Sequence, residues 1–178
     1  MRFLETRQGI VCSLFLILSL GASREARAGD DGFVLRSLMP PGAQHAALRR
    51  AVMGARQRLA RPECQQLFSE FKDASGRPLQ EKLDAQRQTA ASYLGLILFA
   101  DGARSHLRLC QDPNIFAMTA PGSRVVHVCG HQFAFVDGNN PSQTEAFLIH
   151  EELHSLGLGE NPPSPKEITA RVLAMCHR

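Results

Sequence analysis

The sequence predicts a small α+β domain: two or three N-terminal helices on a short, mostly antiparallel sheet, then a motif-bearing helix and a short C-terminal helix. Three observations carry this expectation. Apolar residues recur at helical spacing from Gln44 onward. Between Tyr93 and Val136 the pattern changes to short apolar and β-branched runs broken by Asp101-Gly102, Pro121-Gly122 and Gly130. Beyond that, Ser142 with Glu145 and Ser164 with Glu167 read as capping boxes that open two further helices.

Gly29 to Pro41 reads as an extended lead-in. Gln44 to Ala60 follows as a helix with Leu48, Val52, Ala55 and Leu59 on one face and its arginines mostly on a solvated side. Pro62 suits a first helical position, so Glu63 to Phe71 forms a second helix burying Leu67, Phe68 and Phe71. After the Asp73–Pro78 loop, Leu79 to Gln88 makes a third, shorter helix. Strands are expected at Tyr93–Ala100, Ile115–Thr119, Arg124–Cys129 and Gln132–Val136. The first of these runs is equally compatible with a buried helix, because periodicity does not separate the two. Gln143 to Leu156 is the next helix, stopped by Gly157 and Gly159. Pro165 then starts a last helix that runs to about Met175.

The first 28 of the 178 residues read as a signal peptide. Arg2 and Arg7 precede an apolar core from Ile10 to Leu20, and Ala26-Arg27-Ala28 supplies a cleavage site before Gly29. That core is about half of the ~20 residues a spanning helix needs, so no stable membrane anchor is expected. Removing four arginines and two glutamates with the signal leaves 16 basic against 15 acidic residues, which is no nucleic-acid footprint. The remainder, residues 29–178, is one domain's worth of chain. Its four cysteines, Cys64, Cys110, Cys129 and Cys176, contain no C-x-x-C pair, so two disulfides in an exported protein are expected rather than a cysteine zinc site. Sequence alone leaves the pairing open, with a slight preference for Cys176 joining Cys110 or Cys129.

The chemistry is concentrated in His150-Glu151-Glu152-Leu153-His154. At 100° per residue, Ala146, Ile149, Leu153 and Leu156 fall within an arc of about 80°. His150 and His154 sit beside that stripe one turn apart, so their rings can converge on one metal ion. Glu151 is rotated one step further, where a carboxylate can exchange a proton with a metal-activated water. Glu152 is expected to point outward.

This stretch resembles the zincin metallopeptidases. More narrowly, His150-Glu151-x-x-His154-x-x-Gly157-x-x-Glu160 is similar to the metzincin frame H-E-x-x-H-x-x-G-x-x-H. The resemblance implies a zincin-like fold, a Zn2+ ion held by His150, His154 and a third residue, Glu151 as general base, and a peptide or protein substrate. It departs at Glu160, where metzincins carry His or Asp; a carboxylate remains a competent zinc ligand. The gluzincin branch takes its third ligand from a later helix, which makes Glu167 the alternative. Glu160 is favoured, because Glu167 already has a capping role. Met175 would stand for the metzincin methionine turn but is better read as core. His127, His131, Tyr93 and Arg171 are weighed as oxyanion partners without one being chosen. The competing function is an exported binding or structural domain that keeps zinc without catalysis, and hydrolysis of a non-peptide amide also fits the motif. Oligomeric state is open.

Overall fold

The computed structural model describes residues 33–105 and 108–177; the expected signal peptide lies outside the described residues. Ala43–Leu59 forms α1, burying Ala47, Leu48, Ala51, Val52, Ala55 and Leu59 on the predicted face. Arg49 and Arg50 are exposed on the other side. Arg58 departs from that expectation. It is only 3% exposed and reaches Glu145 at 2.5 Å.

Pro62–Glu70 is α2, with proline in its first turn. Leu79–Ala85 is α3, shorter than predicted because Arg87 adopts a left-handed φ of 54°. The Tyr93–Ala100 run is divided between three local structures. Thr89 and Ser92 close a capping box on α4 (Ala90–Tyr93), a 3-10 turn covers Leu94–Leu96, and only Leu98–Asp101 becomes strand β1. The cap explains the division, because it fixes helical geometry before the apolar residues begin.

Ala117–Met118 is β2 and Val125–Val128 is β3, giving a three-stranded sheet in the order β1-β3-β2. β2 and β3 pair antiparallel across the Pro121-Gly122 turn, as a short connection requires. β1 runs parallel to β3, so the sheet is mixed rather than mostly antiparallel. The intervening excursion gives the chain room to return in the same direction. The lead-in lies along β1, with Phe99 donating to the Arg36 carbonyl and Leu38 to the Phe99 carbonyl. That leaves β2 as the sheet's other edge.

Gln132–Val136 is not a strand: Gly130–Asn139 is α5. Strand alternation would have turned Phe133 and Phe135 the same way. Instead Phe133 is buried, Phe135 is 70% exposed, and Asp137, four residues after Phe133, faces inward to accept from Arg50 and Thr144. Pro141–Ser155 is α6, starting earlier than predicted at Pro141 after Asn140. Ser142 with Glu145 therefore makes no capping box, and Glu145 turns inward to Arg58. Pro165–Met175 is α7, and its Ser164–Glu167 capping box is formed as predicted.

The core lies between these helices and the buried sheet face, where Leu48, Phe68, Leu94, Phe99, Val126 and Ile149 meet. Two disulfides are present, Cys64–Cys176 and Cys110–Cys129. The slight preference for Cys176 pairing with the sheet region is corrected: Cys176 pins the end of α7 to α2 instead. Cys110–Cys129 ties the excursion after β1 to the end of β3. It packs so close to Gly102 that a Cβ there would lie 2.6 Å from the Cys110 sulfur. Two such bonds fit an oxidising, extracytoplasmic environment. Among the described residues, no helix is long and apolar enough to cross a membrane.

Candidate metal centre

α6 raises His150 and His154 one turn apart, and their Nε2 atoms approach to 2.9 Å. Each ring is held from behind. Nδ1 of His154 lies 2.8 Å from the Leu158 carbonyl, and Nδ1 of His150 lies 2.9 Å from the Thr169 hydroxyl on α7. A carbonyl only accepts, so Nδ1 of His154 carries a hydrogen and Nε2 is the nitrogen that faces forward. Burial first, and then neighbouring His154, push His150 down to about 3.

The third group arrives through the turn that ends α6. The Leu158 amide donates to the Leu153 carbonyl and the Gly157 amide to the His154 carbonyl, a Schellman motif. Gly157 sits at φ 106°, and a side chain there would also meet the Lys82 ammonium. The turn thus does two things. It presents the Leu158 carbonyl to His154, and it swings the chain back so that Oε1 of Glu160 lies 3.2 Å from Nε2 of His154 and 4.0 Å from Nε2 of His150. His150, His154 and Glu160 form a group whose ligand atoms all lie within 4.8 Å of one another. The donor set fits zinc: two imidazoles and a carboxylate, with both imidazoles hydrogen-bonded at their far nitrogens. Three electron-pair donors facing one another repel unless a cation or a proton lies between them.

Glu167 is not part of this group. Its carboxylate accepts from the Ser164 amide and hydroxyl at 2.8 and 2.7 Å, and those two bonds hold it below the ordinary range. Glu151 is 7% exposed beside the group, and its Oε2 has no hydrogen-bond partner among the described residues. Burial pushes its carboxyl up to about 8; Thr119 opposes the rise and Glu160 adds to it. Glu152 contradicts its predicted outward orientation. It is fully buried, neither carboxyl oxygen has a hydrogen-bond partner among the described residues, and desolvation drives its carboxyl well upward.

A cleft of about 350 Å³ opens beside His150, Glu151 and Glu160. Its other wall is β2 with the residues before it, and Phe116 stacks on Phe147 at 4.7 Å between ring centroids. The four residues weighed as oxyanion partners lie elsewhere. The Tyr93 hydroxyl bonds Ser155, Arg171 pairs with Glu70 at 2.6 Å, and neither His127 nor His131 lines the cleft. Met175 packs against the core, as expected. A larger groove of about 520 Å³ between α1, α5 and α6 lies away from the histidines. Sequence reasoning missed Thr169 and the Leu158 carbonyl. Thr169 had one faint signal, a polar residue beside the apolar Ile168 on the last helix. Comparison with protein families, characterised proteins and solved structures found no match for the chain.

Proposed function

We propose that the chain is an exported zinc-dependent peptidase of the zincin kind. One observation carries the reading: His150, His154 and Glu160 converge on one point, with a buried carboxyl group, Glu151, next to it and an open cleft alongside. Purely structural zinc sites are usually closed by four protein ligands, whereas this group offers three among the described residues. When bound there, zinc would polarise a substrate carbonyl and lower the pKa of a bound water to about 7. Oε2 of Glu151, buried and without a hydrogen-bond partner among the described residues, is the atom suited to take up a proton. A carboxyl group at that place can then deliver the proton to a leaving amine. β2 runs along the cleft as a sheet edge, so an extended peptide could add to it as a strand. The apolar wall of Ile115, Phe116, Met118 and Phe147 favours uncharged side chains next to the scissile bond.

The test is hydrolysis of a quenched-fluorescent peptide library by the purified chain. The expected result is cleavage that a chelator abolishes and added zinc restores, with Glu151→Gln losing about 10²–10⁴-fold while retaining the metal. Bound zinc with no cleavage above the Glu151→Gln background would favour the non-catalytic, zinc-stabilised domain.

A further inference from the structure

We infer that Thr169 is a positioning residue for the metal centre: its hydroxyl orients His150 from the C-terminal helix and so makes α7 part of the metal site's outer shell. This rests on the metal-binding part of the reading above and not on catalysis.

The two histidines are steadied in different ways. His154 is held by a backbone carbonyl of the turn that follows it in sequence, Leu158. His150 is held by a side chain 19 residues away, at 2.9 Å. When Nε2 of a neutral imidazole binds a metal, Nδ1 must carry the hydrogen. The Thr169 hydroxyl offers the lone pairs to receive it. That bond fixes the ring plane and leaves Nε2 facing His154 and Glu160, the role that outer-shell oxygens play for metal-bound histidines.

The helix presenting Thr169 is anchored along its length. Its first turn is closed by the Ser164–Glu167 capping box, its second half is tied to α2 by Arg171–Glu70, and its end by Cys64–Cys176. Ile168 and Val172 bury the adjoining face. Glu167 therefore serves the centre indirectly, by capping the helix that carries Thr169.

The experiment compares zinc affinity, by competition with a chromophoric chelator, in the unmodified chain, Thr169→Val, Thr169→Ala and Thr169→Ser. Lys166→Ala serves as a control on an exposed position of the same helix. Valine keeps the shape and β-branching of threonine and removes only the hydroxyl. Thermal melts in chelator check that each variant folds, and Thr169→Ala replaces Thr169→Val if the latter does not. The expected result is zinc dissociation about 10–100-fold weaker in Thr169→Val, with Thr169→Ser and Lys166→Ala within about threefold of the unmodified chain. Thr169→Val binding zinc as tightly as the unmodified chain would overturn the inference while leaving the metal site standing, and so would a Thr169→Ser as weak as Thr169→Val. No zinc binding by the unmodified chain would overturn both.

Discussion

Replacing Glu145 with leucine distinguishes a buried ion pair from a helix cap. The Glu145 and Arg58 side chains are 3% and 4% exposed, and Arg58 Nε lies 2.5 Å from Glu145 Oε2. The same guanidinium also donates to the Cys176 carbonyl at 2.5 Å, next to the α2–α7 disulfide. A capping-box glutamate at a solvated helix start is worth about 0.3–1.5 kcal/mol. Removing one partner of a buried pair leaves the other charge without compensation and costs about 3–5 kcal/mol. For a domain of this size each kcal/mol moves the melting temperature by about 2–4 °C, so Glu145→Leu should melt about 6–20 °C lower. Arg58→Met should also melt lower, because it removes the donor to both Glu145 and the Cys176 carbonyl. The double variant should lose clearly less than the sum of the two, because no isolated buried charge remains. Thermal and urea unfolding with the disulfides intact, in metal-free buffer, reads all three. A loss of about 1 kcal/mol or less for Glu145→Leu, additive with Arg58→Met, would refute the ion-pair account.

Gly54 is helical, so alanine there should stabilise by about 1 kcal/mol on propensity alone. A methyl group would collide with the Glu145 carboxylate, however, and Gly54→Ala is expected to lower the melting temperature instead. Asp73 is held down to about 2 from 3.8, first by the Arg77 amide and also by the Ser75 amide and Lys82. A depressed carboxyl contributes stability above its unfolded pKa and loses it as pH falls through the folded value. Asp73→Asn should therefore be less stable than the unmodified chain at neutral pH, with the gap closing between about pH 4 and pH 2 in a circular-dichroism titration. Glu152 carries the opposite sign, since burial raises its folded value. Its unfolded form ionises above about pH 4.3 while the folded form resists, so stability drains away as pH rises. Glu152→Met should thus stabilise the metal-free chain by about 1–3 kcal/mol, more at pH 8 than at pH 4, in paired melts.

What was legible in the sequence had a local cause. The α1 stripe, the Pro62 start, the Ser164–Glu167 box and the glycine stop after Leu156 depend on residues within a few positions of one another, and each formed. The histidine pair followed from helical spacing alone. Misreadings arose where a distant partner decided the outcome. Glu145 satisfied the spacing of a cap, yet Arg58, 87 residues earlier, took it into the core. Phe133 and Phe135 alternate like a strand, yet among the described residues no neighbouring strand exists for them and Asp137 is drawn to Arg50. Cys176 found Cys64 because α7 returns across α2, a packing that spacing does not reveal. Thr169 is a further case, since it serves His150 only once α7 has docked against α6.

Metal content by mass spectrometry of the purified chain and its Glu160→Ala, Glu167→Ala and Glu151→Gln variants tests the central claim most directly. One zinc per unmodified chain is expected, kept in Glu151→Gln and Glu167→Ala and lost in Glu160→Ala. Zinc retained in Glu160→Ala but lost in Glu167→Ala, or no zinc in the unmodified chain, would contradict it.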